Sequence, residues 1–227
     1  MRIPLTRYGL PQVVIYPLLI FILMLVLFVL FRPALWLIPV EALLFLVLVW
    51  MFSFFRDPSR TIIPDEKLLY SPADATITDI DEVDDSALGV KALRIGMFLS
   101  VFNVHINRMP CSVRIEKVTY KRGKFINAMS PDAYKINEAN DTLVTRLSEP
   151  QDKLLLRQIT GAIARHIVCE AREGDEYRQG QPFGMMKFGS RAELYLPLAG
   201  DEKKYEVAVK IGDPVRAGLT PLVRYCQ

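Results

Sequence analysis

Residues 187–197 read KFGSRAELYLP. From Ser190 onward the side chains alternate, with Ser190, Ala192, Leu194 and Leu196 on one face and Arg191, Glu193 and Tyr195 on the other. That is the period of a half-buried β-strand. Ser190 therefore points inward at the head of the strand, directly after Gly189. A Gly-Ser pair in such a place is ordinarily a turn, because glycine accepts positive φ and serine is a common turn residue. The rest of the chain decides whether it does more.

Working outward, residues 68–83, 91–110, 111–128 and 192–218 are rich in Val, Ile, Tyr and Thr, with turn residues at short intervals. They read as strands and hairpins. A strand is expected over 154–160. Near Gly161 the pattern changes, with Ile163 and Ile167, then Ala164 and Val168, at helical spacing, so a short helix is expected there. SPADATI (71–77) and IGDPVRAG (211–218) echo one another as Asp-containing turns of a lipoyl-like hammerhead. The expected fold is mainly β (α+β), a lipoyl-like sandwich or barrel with short helices, occupying residues 57–227.

Residues 1–56 are different. The runs 13–31 and 34–55 are almost wholly apolar and close to the ~20 residues that cross a bilayer as a helix. At roughly −0.5 kcal/mol per large aliphatic residue, each run outweighs its liability, Pro17 in the first and the ~3 kcal/mol cost of Glu41 in the second. Only Arg32-Pro33 separates them, which predicts a transmembrane helical hairpin. Arg2 and Arg7 precede it, Arg56, Arg60 and Lys67 follow, and Arg32 alone lies at the turn. The positive-inside rule then places both ends, and the β domain, on the cytoplasmic face of the cell (inner) membrane. The first run is too long for a signal-peptide core and no cleavage site follows it. Cys111, Cys169 and Cys226 lack metal-ligand spacing and read as reduced thiols. No basic stripe interleaved with aromatics is present, which argues against nucleic acid.

Three residues could carry chemistry. His105, one of two histidines, lies in VFNVHINRMP (101–110), where alternation would align Asn103, His105 and Asn107 opposite Phe102, Val104 and Ile106. That row is either a solvated face or a base among polar neighbours. His166 reads as a surface residue. Asp74 either closes an Asx-turn or orients a base. With Ser190 the set comprises carboxylate, imidazole and hydroxyl, the division of labour of a hydrolase triad, although such sets of residue types also arise by chance.

FFRDPSR (54–60) after a double apolar run, then SPADATI, VFNVHINRMP, YKRGKFINA (120–128) and GQPFGMMKFGSR (180–191), in that order, resemble the short, membrane-anchored phosphatidylserine decarboxylase proenzymes. The resemblance runs over essentially the whole chain. It implies self-cleavage between Gly189 and Ser190 into a large and a small chain, with Ser190 becoming a covalent pyruvoyl cofactor. Asp74 and His105 match the family's Asp and His that assist maturation, Asp74 fixing the imidazole's tautomer. The implied reaction converts phosphatidylserine to phosphatidylethanolamine through a Schiff base between the pyruvoyl carbonyl and the substrate amine, in membrane phospholipid biosynthesis and without a metal. Archaetidylserine, with the same amine and carboxylate, is a close variant, and a homo-oligomer is allowed. Two departures stand out. Ala75 replaces a common glycine, and Phe102 stands where longer members carry a second histidine, so no proton transfer can be assigned there.

Arg108, Lys124 and Arg191 are basic residues that could meet a head-group carboxylate or phosphate, each more simply read as exposed. Two other readings remain open at this level: a lipoyl-like adaptor with an uncut Gly189-Ser190 turn, and an autoproteolytic hydrolase using a new serine amine.

Overall fold

The computed structural model describes residues 5–31, 34–130, 132–162, 166–187, 189–198 and 205–226. It falls into two compact units, Met1–Ser59 and Arg60–Gln227. In the first, a 3-10 turn (Arg7–Gly9), whose Tyr8 amide donates to Thr6 Oγ1, leads into α1 (Leu10–Phe31), followed by α2 (Leu37–Phe54). Both helices are apolar on every face and long enough to cross a membrane. α2 starts later than the apolar run because Ala34–Trp36 form a turn, the Leu37 amide bonding the Ala34 carbonyl. The expected hairpin turn at Arg32-Pro33 lies outside the described residues.

The second unit is built from strands β1 (Leu68–Tyr70), β2 (Ala75–Asp85), β3 (Val90–Leu99), β4 (Ile106–Arg108), β5 (Val113–Lys121), β6 (Ala139–Arg146) and β7 (Lys153–Ile159). These are followed by β8 (His166–Cys169), β9 (Glu176–Tyr177), β10 (Pro182–Lys187), β11 (Ser190–Pro197), β12 (Tyr205–Val207), β13 (Pro214–Val215) and β14 (Pro221–Tyr225). One helical turn, α3 (Ala133–Ile136), precedes β6. An antiparallel eight-stranded sheet has the order β13-β2-β3-β11-β7-β6-β5-β9, and two three-stranded sheets have the orders β4-β10-β8 and β1-β14-β12. The fold is mainly β, as expected. The two echoing segments pair with each other, Thr76 opposite Pro214 and Ala75 opposite Val215.

Residues of all three sheets share one core, with Ala192, Leu194 and Leu196 of β11 against Ile77, Met97, Leu156, Phe183, Met186 and Val223. β11 lies between β3 and β7, and its head, Ser190, pairs with Leu99. Its other face corrects the expectation of a half-buried strand, because Arg191, Glu193 and Tyr195 are buried as well. A β-bulge at Ile77/Asp79 shifts the parity of β2. Asp79 and Asp81 consequently leave the core side and meet the arginines of the outer face. Arg191 donates to Asp79, Thr78 and Glu193, Tyr195 donates to Glu193, and Arg157 bridges Tyr195 and Asp141. Gly96 makes room, since a Cβ there would strike both Arg191 and Asp79. Burial acts to raise the Asp79 and Asp141 carboxyls, but the bonds from Arg191 and Thr78, and from Arg157 and Lys121, outweigh it and hold both below the usual carboxylate value.

The helix expected after Gly161 is not present in the part that is described. Residues 163–165 lie outside it, and His166–Cys169 form strand β8, in register with Lys187–Gly184 of β10. Ladder bonds to β10 and two adjacent β-branched residues, Ile167 and Val168, overrode the helical spacing.

Candidate active site

The site is assembled where β11 begins. Gly189 has φ +72°, a left-handed conformation that only glycine takes at little cost. Its amide donates to His105 Nε2 at 3.3 Å. His105 is fully buried, and its Nδ1 lies 2.9 Å from the Asn103 carbonyl. A carbonyl can only accept and an amide can only donate, so the proton resides on Nδ1 and the lone pair of Nε2 faces the Gly189–Ser190 junction. Ser190 itself is fully buried, and its Oγ has no hydrogen-bond partner among the described residues. An orphaned buried hydroxyl costs about 1–3 kcal/mol, which makes it an unusual residue to find at the head of a core strand.

The loop that carries His105 is held by local bonds. The amide and hydroxyl of Ser100 both donate to Asn103 Oδ1, at 2.9 and 2.8 Å, and the Asn103 amide closes the turn on the Ser100 carbonyl. β4 starts only at Ile106, so the expected alternating strand through 101–107 is replaced by a turn and a short strand. The polar row is not a solvated face: His105 and Asn107 are buried, whereas Phe102 is 71% exposed. Asn107 accepts from Gln158 Nε2 at 2.8 Å, which in turn satisfies a core amide row with Asn140.

Asp74 is engaged elsewhere. Arg60 grips it bidentately, Nη1 to Oδ1 and Nη2 to Oδ2, both at 2.6 Å, and the Ala217 amide donates to Oδ1 at 2.8 Å. Arg60 also donates to the Ala217 carbonyl. This is a clamp across the two echoing hammerhead segments. It is the Asn103 carbonyl, not the Asp74 carboxylate, that holds Nδ1 of His105. The structure thus brings Gly189, Ser190 and His105 together and ties Asp74 to Arg60.

Of the basic residues, Arg191 and Arg108 are buried and bonded, Arg108 to the Gly180 carbonyl at 3.2 Å, and only Lys124 is exposed as expected. His166 is exposed. Lys187 is buried on β10, and burial pushes its amine below the usual lysine value. Burial likewise pushes the Cys111 thiol up, to about 12, which keeps it inert. Gly161, which sequence reasoning passed over, follows β7 where a Cβ would collide with the Gly189 carbonyl oxygen. Its only signal was a glycine immediately after a strand. Arg60 was legible as a charge beside an apolar run but not as the partner of Asp74.

The profile of the family described as phosphatidylserine decarboxylase matches residues 47–222. A protein of Carboxydothermus hydrogenoformans named phosphatidylserine decarboxylase proenzyme is 43% identical over 183 residues, covering 80% of this chain and 83% of its own. One of the same name from Rhodopirellula baltica is 40% identical over 226 residues, 99% of this chain and 90% of its own. A third, from Pelagibacter ubique, is 41% identical over 180 residues, 78% and 80% of the two chains. With the family profile spanning most of the β-rich unit and relatives near 40% identity aligned over most of their length, the chain belongs to the phosphatidylserine decarboxylase family.

Proposed function

We propose that this protein is a self-processing decarboxylase of phosphatidylserine whose prosthetic group is made from Ser190. The observation that carries the reading is the buried Ser190 Oγ, without a hydrogen-bond partner among the described residues, beside a left-handed Gly189 whose amide rests on His105 Nε2. In maturation the Ser190 Oγ attacks the Gly189 carbonyl carbon, the Gly189–Ser190 C–N bond breaks, and an ester with a free Ser190 amine results. His105, with its lone pair on Nε2, is the base. Removal of the Ser190 α-proton then expels the Gly189 carboxylate and leaves dehydroalanine, whose hydrolysis releases ammonia. The Arg60–Asp74 clamp ties SPADATI to Ala217 and so fixes the start of β2, the neighbour of the β3 strand that pairs with Ser190.

The residues fit a pyruvoyl group in size and polarity, because the serine CH2OH gives way to a methyl, the ketone oxygen takes the place of the α-nitrogen, and no buried hydroxyl is left in need of an acceptor. When formed, it supplies a carbonyl that condenses with the substrate amine and accepts the electrons released as CO2 departs. The protein's part is to hold that carbonyl at the head of β11 and to keep His105 in one tautomer.

The reading extends to place and partners. The domains are a membrane anchor, 1–56, and a catalytic domain, 57–227, cut between 189 and 190 into two chains that remain together. The charge asymmetry around the apolar runs supports a cytoplasmic-facing domain at the inner membrane. Archaetidylserine presents the same reactive amine and carboxylate, and a lipid-extract competition assay separates the two substrates. The test is intact-mass analysis of purified protein followed by turnover. The expected result is a fragment beginning at residue 190 with its N-terminal amine lost, and CO2 released from phosphatidylserine in micelles without pyridoxal phosphate, inhibited by hydroxylamine. A folded chain that stays uncut, or activity indifferent to hydroxylamine, refutes it.

A further inference from the structure

Two loops meet at the cleavage junction, and both end in exposed apolar side chains. Val101 Cγ1 lies 3.6 Å from where a Cβ on Gly189 would stand. Ala128 Cβ lies 3.3 Å from the Cβ position of Gly161, the same position that abuts the Gly189 carbonyl. The turn 100–103 and the loop 124–130 therefore both touch the Gly189 neighbourhood. The next residue in each is a large apolar one facing solvent: Phe102, 71% exposed, and Met129, 61% exposed.

Neither side chain is there because its loop is loose. The Phe102 turn is fixed by Ser100 and Asn103. Met129 sits in a turn whose amide bonds Asn127 Oδ1, and the loop before it is stapled by Asn137, which bonds the backbone of Ile126 both ways and the Thr160 carbonyl. Ordered turns that hold apolar tips outward are a binding feature rather than scattered exposure. The chain leading to Met129 is basic on its N-terminal side, with Lys121, Arg122 and Lys124 and no acidic residue over 120–130, while Asp79, Asp81 and Asp132 lie in the pocket on its other side, alongside Arg94, Lys135 and Arg191. Lys121 is committed to Asp141, while Arg122 and Lys124 are exposed.

Apolar tips flanked by cations suit an anionic phospholipid surface, with the tips in the acyl boundary and the cations at the head groups. We propose that the Phe102 turn and the Met129 loop form a lipid-insertion rim around the Gly189–Ser190 junction, distinct from the apolar helices, through which the β domain itself engages the bilayer that supplies its substrate. The inference rests on a phospholipid substrate for its purpose but not for its test.

The chain has two tryptophans, both in the apolar N-terminal unit. In a full-length Trp36→Phe, Trp50→Phe background, Phe102→Trp and Met129→Trp are each placed in nanodiscs of phosphatidylcholine and phosphatidylglycerol whose acyl chains are brominated. Val90→Trp is the control, because Val90 lies at the opposite end of β3 from Leu99, the partner of Ser190, about 30 Å away at ~3.3 Å per residue. The expected result is quenching of at least about two-fold at 102 and 129, as for side chains ~5–10 Å into the head-group boundary, and little at 90. Adding Arg122→Glu with Lys124→Glu should reduce the quenching at 129. Uncut Ser190→Ala protein should behave the same, so failure of the chemistry and failure of the rim are separable. Quenching at 102 and 129 no greater than at 90, or unchanged by the two charge reversals, overturns the proposal. In turnover assays, Phe102→Ser with Met129→Ser should raise the apparent KM for phosphatidylserine in bilayers several-fold more than that for a dispersed short-chain analogue. An equal loss on both substrates also counts against the rim.

Discussion

Replacing Gly161 by alanine tests the site at its most crowded point. The added Cβ would collide with the Gly189 carbonyl oxygen and stand 3.3 Å from Ala128 Cβ. The end of β7 cannot easily retreat, because the Thr160 amide and hydroxyl both bond the Glu138 carbonyl, at 2.9 and 3.1 Å, and its carbonyl accepts from Asn137 at 2.8 Å. The carbonyl that Ser190 attacks in the proposed maturation therefore moves. Restoring ordinary contact takes a displacement on the order of 1 Å, and a misplacement of that size lowers a rate by about 10²-fold. Gly189→Ala is the internal comparison. Its nearest neighbour would be Val101 Cγ1 at 3.6 Å, so space is available and the penalty is conformational. Holding alanine at φ +72° costs about 1–2 kcal/mol, or roughly 5–30-fold in rate if borne in the reacting geometry. Conversion of the full chain into its two products is followed on gels and by intact mass after purification, with circular dichroism melts as the control for folding, since overpacking costs ~1–3 kcal/mol of stability. A folded Gly161→Ala protein that processes at the wild-type rate, or one less impaired than Gly189→Ala, would refute the placement of the scissile carbonyl.

His105→Ala should leave a single uncut band, whereas His166→Ala, at an exposed position of β8, should process normally; the reverse pattern on the same gel would exchange their roles. Arg60→Ala should slow processing at least as much as Asp74→Asn, and the double variant should add little to either, because the two side chains form one clamp; additive losses would show that they act separately. Asp79 and Asp141 are held below the usual aspartate value of 3.8. Their ion pairs therefore contribute stability that is complete above that value and is lost as pH falls through the lower folded values. Urea midpoints of wild type and Asp141→Asn should accordingly differ most near neutral pH and converge below about pH 4; a gap that widens on acidification contradicts the sign.

Much of this could be read along the chain, and the reason lies in period and composition. β11 was visible because its core face alternates, and the apolar helices because bilayer thickness demands long uninterrupted runs. What escaped depended on pairing between distant segments. The buried outer face of β11 exists because a bulge in β2 turns Asp79 toward Arg191, and no local pattern announces a bulge 112 residues away. The misassigned helix near 167 came from a four-residue spacing that a strand in register with β10 overrode. At the site, Ser190, Gly189 and His105 were nameable from the sequence. Their arrangement was not, since His105 is oriented by a main-chain carbonyl, for which side-chain identity carries no signal.

The unpartnered hydroxyl has an energetic consequence that can be measured apart from any activity. A serine buried without an acceptor forfeits the hydrogen bonds it made to water, at about 1–3 kcal/mol, whereas alanine at the same position forfeits nothing. Ser190→Ala should therefore stabilise the uncut chain, the opposite of what removing a hydroxyl from a satisfied core site does. The comparison needs a common uncut state, and Gly161→Ala, purified before its slowed processing has run, provides one. In that background, adding Ser190→Ala should raise the midpoint of urea unfolding by an amount equivalent to about 1 kcal/mol or more. In the proposed maturation the same logic favours the product, because Oγ departs with Gly189 as a carboxylate oxygen and a methyl takes the place of the buried hydroxyl. A lower midpoint for the double variant would mean that Ser190 Oγ is hydrogen-bonded in the folded protein. The nucleophile would then be stabilised in its resting state rather than poised, and His105 would have to break that bond before the chain could be cut.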